Sequence, residues 1–168
     1  MVTAHFGIAV ALFGMACDSA FTTERLVAVR VGDTTAVGPW QIRLANIEPV
    51  AGPNWTALEA TLQASYKGAA PSETHPQART FWAPVQNTAE SALLTRWNGQ
   101  LYTVLGDEAE DGRWQLRLWW KPFVPMIWLG GVLIALGGLL ALLGRVASDV
   151  RRIVARERIV DRRARQGR

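Results

Sequence analysis

The segment that most constrains this chain is an apolar stretch near its carboxyl end. An aromatic and basic collar, Trp119-Trp120-Lys121-Pro122-Phe123, opens a charge-free run of 21 residues that ends at Leu143. About 20 helical residues at roughly 1.5 Å each span the ~30 Å hydrocarbon core of a bilayer. We therefore predict a transmembrane helix over residues 122–144.

The tail that follows, residues 145–168, is strongly basic. It holds nine Arg against three acidic residues, a net charge of +6, and positive charge beside a span favours the cytoplasmic side. One helical side of the tail is apolar, which predicts an amphipathic helix on the inner leaflet. A solvated, frayed tail is the alternative for its last ten residues. The apolar residues are Val146, Val150, Ile153, Val154 and Val160.

The amino-terminal segment, residues 1–17, is apolar and uncharged apart from His5. A secretory signal peptide would carry positive charge at its start, and none is present beyond the terminal amine. A lipoprotein cleaved before Cys17 remains a weaker alternative, because Gly14 stands where a Leu is expected. We predict a second transmembrane helix over residues 1–17. Both termini are then cytoplasmic and the middle of the chain lies outside the cytoplasm.

The middle segment, residues 18–121, holds nine basic and eleven acidic residues, a net charge of −2. The overall charge of +4 therefore comes from the tail, and nucleic-acid binding by the whole chain is disfavoured. A hundred residues are enough for one small domain.

Alternating apolar residues separated by Gly, Pro and Asn turns predict a mainly antiparallel β domain in this middle segment. One short helix is expected over Asn87–Arg96, where Ala89, Leu93 and Leu94 follow a helical spacing. The predicted fold class is thus a membrane protein with two transmembrane helices flanking this β-rich domain. The predicted strands are 26–31, 40–47, 58–66, 79–82, 100–105 and 114–120.

The chain shows no complete set of catalytic residues. One cysteine excludes an internal disulfide, and two histidines in different compartments exclude a Ser/His/Asp site. A phosphate-binding loop is absent, His75 is expected in an exposed loop, and the acidic run Asp107–Asp111 is expected in a hairpin loop. No catalytic residue is assigned, and the chain is not a complete enzyme alone.

His5 is the candidate cofactor ligand. Ionisable side chains inside a membrane span are costly and usually pair with another group or a cofactor. Imidazole is a common axial ligand of haem iron, and a second His from another helix or chain would complete such a site. A hydrogen-bonded packing histidine and an interfacial histidine remain open alternatives. Small residues that allow close helix packing accompany it at Gly7, Ala11 and Gly14, and in the second span at Gly130, Gly137, Ala141 and Gly144.

Several blocks in one order make this chain resemble the carboxyl-terminal part of the cytochrome c-type biogenesis protein family CcmF, a haem lyase subunit. The similarity extends from about Ala4 to Leu143. The blocks are 4–10 (AHFGIAV), 23–25 (TER), 52–56 (GPNWT), 83–86 (APVQ), 89–93 (AESAL), 101–107 (LYTVLGD), 114–124 (WQLRLWWKPFV), 127–130 (IWLG) and 135–141 (ALGGLLA).

The resemblance implies a component of an inner-membrane haem lyase, the holocytochrome c synthase complex. His5 matches one of two transmembrane histidines that hold a structural b-type haem, thought to reduce the incoming haem. The domain of residues 18–121 would be periplasmic and would dock partners. Those partners are the amino-terminal CcmF portion, CcmH and CcmI, haem-loaded CcmE and apocytochrome c.

The chain departs from the family in three respects. The upstream tryptophan-rich segment and two periplasmic histidines have no equivalent here, Pro125 stands where Arg is usual, and the segment Arg79–Gln86 is slightly longer. We therefore expect the tail of a split or truncated CcmF, or a non-functional remnant. A two-span membrane scaffold that binds a protein without haem is the alternative from another class.

Overall fold

The computed structural model describes the backbone of residues 2–166 and the side chains of residues 2–152. The chain folds as two compact units. A helical unit comprises Met1–Phe13 and Met126–Arg168, and a β unit comprises Gly14–Pro125.

In the part of the chain that the structure describes, two helices are long and apolar enough to cross a membrane. Helix α1 spans Val2–Phe21 and helix α2 spans Val124–Gln166. The apolar part of α2 is Val124–Arg152, and the helix continues unbroken into the basic tail for a length of about 65 Å. The predicted membrane-surface face of the tail includes Ile153, Val154 and Val160, whose side chains lie outside the described residues.

Within the helical unit, α1 and α2 pack closely through small residues. A Cβ added at Gly7 would lie 2.8 Å from the Gly130 carbonyl oxygen, and one at Gly130 would lie 2.6 Å from the Ala11 nitrogen. A Cβ at Gly137 would lie 2.5 Å from the Ala4 nitrogen. Real Cβ atoms do not approach backbone this closely, so the contact requires glycine at these positions. By contrast, a Cβ at Gly144 would meet no described atom within 4 Å.

The β unit is an antiparallel sandwich of two sheets. One sheet has the strand order β1-β10-β9-β8, and the other has the order β2-β3-β4-β6-β7, with β5 paired to β4. The strands are β1 (Thr23–Val29), β2 (Thr34–Val37), β3 (Trp40–Ala51), β4 (Trp55–Tyr66), β5 (Ser72–Thr74), β6 (Gln77–Trp82), β7 (Val85–Glu90), β8 (Ala92–Arg96), β9 (Gly99–Glu108) and β10 (Trp114–Pro122).

Alternation along the central strands builds the core between the sheets. In β3, buried Trp40, Ile42 and Leu44 alternate with exposed Gln41 and Arg43, as expected for a strand with one face inward. The equivalent residues of the other central strands complete an apolar layer. They are Leu62, Leu101, Leu105, Leu116 and Leu118, each at most 1% exposed.

The prediction of a short helix over Asn87–Arg96 is wrong. The segment contains most of β7 and all of β8, which pair with β6 and β9 in different sheets. Ser91 lies between the two strands. The chain passes from one sheet to the other there, so the strand face that is directed toward the core also changes. The apolar residues on either side of Ser91 therefore have a helix-like spacing. Sheet pairing decides the conformation at both strands.

The remaining strand predictions are confirmed in position. Each of the six predicted strands overlaps an observed one, and most of the observed strands are longer. Strands β2 and β5 were not expected. Both are short, with four and three residues, and too short a run gives no readable alternation.

Candidate functional site

His5 lies in α1 nearly opposite Gly7, which packs against α2. At 100° per residue, its position is about 160° around the helix from Gly7. The residue is exposed within the helical unit, whereas Gly7 is buried. His5 therefore lies on the side of α1 that does not pack against α2.

The surface around His5 suits one side of a haem pocket. Ala9 follows His5 by one helical turn on the same side, and Leu12 follows by two; both are exposed. A small residue beside the imidazole leaves room for a planar ring, and an apolar one supplies a wall. The residues thus fit one axial ligand and part of one wall. The chain's other histidine is His75 in the β unit, so a second histidine ligand would have to come from another polypeptide or another part of a longer one.

A second candidate site is a cleft of about 850 Å³ in the β unit, lined by both sheets. Its apolar lining includes the buried side chains of Ala57 and Leu105. Two arginines and Asp107 supply charged groups. The other lining residues used below are Leu26, Ala78, Arg79, Thr88, Ala89, Val104 and Arg117.

The two arginines of the cleft are held in place by local partners. The Arg79 guanidinium lies over the Trp55 ring at 4.3 Å, and its Nη1 is 3.6 Å from a Glu90 carboxylate oxygen. The Arg117 Nε is 2.9 Å from a Glu24 carboxylate oxygen. Each guanidinium group therefore has a neighbouring carboxylate. The cleft presents charged groups of both signs and is not a strong anion-binding site.

Strand β7 forms one wall of the cleft and ends the six-stranded sheet. It pairs with β6 from Val85 to Glu90, and within residues 2–166 no strand pairs with its other edge. The Thr88 hydroxyl, which lines the cleft, is buried and has no hydrogen-bond partner among the described residues. A free strand edge beside an apolar cleft can accept an extended peptide as an added strand.

The other residues considered from the sequence do not converge on one site. His75 is exposed, as expected, with its Nδ1 3.7 Å from a Glu59 carboxylate oxygen. Cys17 is buried in α1. The acidic run Asp107–Asp111 covers the end of β9 and the turn after it. No group of three His, Cys, Asp or Glu side chains in the described part could hold a metal ion.

The cleft was missed because no local pattern indicates it. Its walls come from β1, β3, β4, β6, β7, β9 and β10, and the segment that contributes β7 was predicted as helix.

Comparison with known proteins agrees with the resemblance and the fold. The family described as "CcmF C-terminal beta-sandwich" matches residues 20–122. The cytochrome c-type biogenesis protein CcmF of Escherichia coli is 35% identical over 135 residues, which is 80% of this chain and 21% of that protein. The cytochrome c-type biogenesis protein CycK of Bradyrhizobium diazoefficiens is 36% identical over 132 residues, 79% of this chain and 20% of that protein.

A solved structure of the cytochrome c haem lyase CcmF superposes with a TM-score of 0.68 at 21% identity. The match covers 82% of this chain and 23% of that one, and it confirms two helices flanking an antiparallel sandwich along the sequence. This chain spans about a fifth of the length of the curated relatives it matches. By its sequence and by its fold, it belongs to the CcmF C-terminal β-sandwich family.

Proposed function

We propose that this chain serves as the carboxyl-terminal part of a haem lyase complex in cytochrome c maturation. In this role it contributes His5 as an axial ligand of a b-type haem and presents its β domain to protein partners. The observation that carries the proposal is the position of His5. It lies on an exposed side of α1, about 160° around the helix from Gly7, which packs against α2, and this side of α1 would face a neighbouring helix.

The proposed location is the bacterial inner membrane, with both termini cytoplasmic and the β domain periplasmic. Two observations support it. The apolar helices α1 and α2 directly precede and follow the β domain, and the net charge of +6 lies in the tail while residues 18–121 carry −2.

In the proposed site the imidazole of His5 would hold the haem iron. When bound, the haem would supply a redox centre able to reduce a second, incoming haem. Ala9 would leave room for the ring edge, and Leu12 would help to exclude water. The second ligand is assigned to the amino-terminal CcmF portion, because α2 contains no histidine.

The β domain is proposed to dock partners through the cleft and the free edge of β7. The apolar lining suits buried side chains of an extended segment, and the β7 backbone suits strand addition. Apocytochrome c, bound through an extended segment, is the partner proposed for this cleft. CcmH, CcmI and haem-loaded CcmE are the other partners expected in the complex.

The test of haem ligation is co-expression with an amino-terminal CcmF portion, followed by purification and a pyridine haemochrome spectrum. We expect a b-type signal for the wild type and its loss in His5→Ala. The matched control is His75→Ala, which removes the other histidine and should leave the signal unchanged. Immunoblotting of both variants checks that the complex still assembles.

Equal haem in the wild type and in His5→Ala, or no haem in either, would contradict the ligand role. The cleft and the free β7 edge do not depend on haem. That result would therefore favour the second candidate, a two-span scaffold that binds a protein segment at the membrane surface, or a remnant that retains the fold.

A further inference from the structure

One end of the four-stranded sheet is where the chain connects to both helices. Strand β1 begins there at Thr23, paired with Trp120 of β10. Next to them, β9 begins at Gly99 opposite Pro122, and β8 ends at Arg96 opposite Gly99. Two of the four strand ends therefore continue into α1 and α2. The other two are joined by the turn Trp97–Asn98.

This turn is fixed to the residue that precedes α2. The Phe123 backbone nitrogen donates a hydrogen bond of 2.9 Å to the Asn98 carbonyl oxygen, and α2 begins at Val124. Neighbouring strands lie about 4.8 Å apart, so the end of β8 is roughly 10 Å from the end of β10. The turn thus lies level with the point where the chain enters the apolar helix.

The exposed side chains around the turn are aromatic and basic, while the acidic Asp18 and Glu24 at the same end are paired with Lys121 and Arg117. Trp97 is 75% exposed at the tip of the turn, and Phe21 is 64% exposed at the end of α1. The Arg96 guanidinium lies 4.5 Å and the Lys67 Nζ lies 5.6 Å from the Tyr66 ring centre. Tryptophan beside arginine and lysine is the composition found where proteins meet the headgroups of a bilayer.

The opposite end of the same sheet carries the opposite charge. The end of β9 and the turn after it hold four acidic residues within five positions, and all four are exposed. Arg113 and Arg30 lie beside Asp111, so the four carboxylates and the two guanidinium groups leave a net charge of −2 at this end. The sheet is therefore polarised along its strands, with the basic end at the connections to the helices. The acidic residues are Asp107, Glu108, Glu110 and Asp111.

We propose that the Trp97–Asn98 turn inserts into the headgroup region of the bilayer, with the Trp97 indole at the interface and Arg96 and Lys67 facing lipid phosphates. The partner is the lipid surface itself, preferentially an anionic one. The inference rests on the proposed membrane crossing of α2 and is independent of haem binding by His5. The β domain is then held in one orientation on the membrane by the turn together with its connections to α1 and α2, rather than by the two connections alone.

The first experiment measures depth with an environment-sensitive fluorophore on the full chain in nanodiscs that contain zwitterionic and anionic lipid. In a Cys17→Ala background, the label is attached at Trp97→Cys. The matched control is Val85→Cys, which is 83% exposed at the tip of the β6–β7 hairpin. A nitroxide on the lipid headgroup should quench the label at position 97 at least about twofold more than the label at position 85.

A third label separates the inference from its premise. Leu136→Cys lies in the apolar part of α2 and should be quenched by a nitroxide on the acyl chain. Quenching at position 136 without quenching at position 97 would overturn the insertion of the turn alone. The absence of quenching at both would overturn the membrane crossing together with the turn. Equal quenching at positions 85 and 97 would also overturn the proposal. So would protection of position 97 from aqueous iodide without headgroup quenching, because it would indicate that a protein surface rather than lipid covers the turn.

A second measurement keeps the native side chain. Brominated lipid should quench the fluorescence that is lost in Trp97→Phe, and it should not quench the fluorescence that is lost in Trp82→Phe. Trp82 is 54% exposed at the end of β6, so it matches Trp97 as a solvent-facing hairpin tryptophan. The fluorescence of the other tryptophans is common to the wild type and each variant, so it cancels in the difference between them. Equal quenching of both differences would contradict the proposed orientation.

Discussion

Single residues decide how closely the two sheets meet beside Trp120. Gly38 has a φ of +53°, and a Cβ there would lie 2.6 Å from Trp120 Cδ1. Trp120 in turn packs against Trp40 and Tyr66, with ring centres 6.4 and 6.1 Å apart. Position 38 therefore requires glycine for two reasons: its φ is positive, and a Cβ would collide with Trp120.

We predict that Gly38→Ala lowers the free energy of unfolding of the β domain by more than Gly68→Ala does. Gly68 also has a positive φ, but a Cβ there meets no described atom within 4 Å. Gly68→Ala should cost about 1–2 kcal/mol from backbone strain alone, and Gly38→Ala should add the displacement of Trp120, about 1–3 kcal/mol more. Urea unfolding of the full chain in detergent, followed by tryptophan fluorescence, measures both losses. Equal losses would show that Trp120 yields without cost.

Asp111 is the residue whose ionisation the fold changes most clearly. The hydrogen bond from the Arg113 side chain is the main reason that the pKa of the Asp111 carboxyl is below its ordinary value of 3.8. The Arg113 backbone hydrogen bond and the charges of Arg113 and Arg30 act in the same direction, and desolvation opposes them. A lowered pKa stabilises the fold above the ordinary value, and this contribution is lost as the pH falls through the folded-state pKa.

We expect carbon-13 NMR of the Asp111 carboxyl to give a pKa below 3.8 in the wild type and a higher value in Arg113→Gln. Arg30→Gln is the matched control, because it removes a charge that contributes less. Its effect should be the smaller of the two. An unchanged pKa in Arg113→Gln would contradict the assignment of the side-chain hydrogen bond as the main cause.

At the residue scale, the sequence predicts the environment of a residue where one local property is enough. A Thr-His-Pro sequence in a loop predicts the exposure of His75, which the structure confirms, whereas the haem-ligand role of His5 stays a prediction. The cleft around Arg79 and Arg117 could not be predicted, because the two residues lie on strands of different sheets that come together only when the sheets pack. Thr88 gives no signal in the sequence at all.

At the scale of elements, the pairing of α1 with α2 depends on the alternation of small and large residues around each helix. Gly130 and Gly131 are neighbours in sequence but differ in contact. A Cβ at Gly130 would collide with Gly7 and Ala11, whereas one at Gly131 meets no described atom within 4 Å. In lipid such close approach replaces the hydrophobic effect as the source of helix association.

We predict that Gly130→Leu separates α1 from α2 by about 2–3 Å while Gly131→Leu leaves them unchanged. Spin labels at Phe6→Cys and Val132→Cys, two exposed positions in the helical unit, report the distance by electron paramagnetic resonance in a Cys17→Ala background. The paired substitutions are equal in volume and hydrophobicity, so lipid partitioning is matched. The same separation in both variants would show that the glycine contact does not hold the helices together.

Strands were predictable where one face is buried and the other is exposed to solvent. Burial alternates from Trp40 to Leu44 in β3 and from Ala60 to Ala64 in β4, and the positions of these strands follow from that period. At β7 and β8, the chain moves from one sheet to the other within a single residue, Ser91. When the chain changes sheets, the strand face directed toward the core also changes, so the local spacing of apolar residues does not predict strands there.

At the scale of the whole molecule, the partition of charge and hydropathy is the strongest predictor. Two apolar segments around a weakly acidic middle indicated two helices and one domain, and the structure has both. The sandwich itself, rather than a barrel or an open sheet, was not predictable. It depends on which strands pair, and the order β1-β10-β9-β8 joins strands from opposite ends of the domain's sequence.

The proposed membrane topology makes the last prediction. Positive charge resists transfer across the inner membrane, so a tail with nine Arg should remain cytoplasmic and the acidic connection of the β domain should lie outside. In a Cys17→Ala background, a membrane-impermeant maleimide added to spheroplasts should label Glu110→Cys at once and Ser148→Cys only after permeabilisation. Both positions are exposed, so side-chain access is matched and the membrane is the barrier tested. Immediate labelling of Ser148→Cys would place the tail outside. Protection of Glu110→Cys would place the β domain inside, and either result would contradict the assigned topology and with it the docking of periplasmic partners.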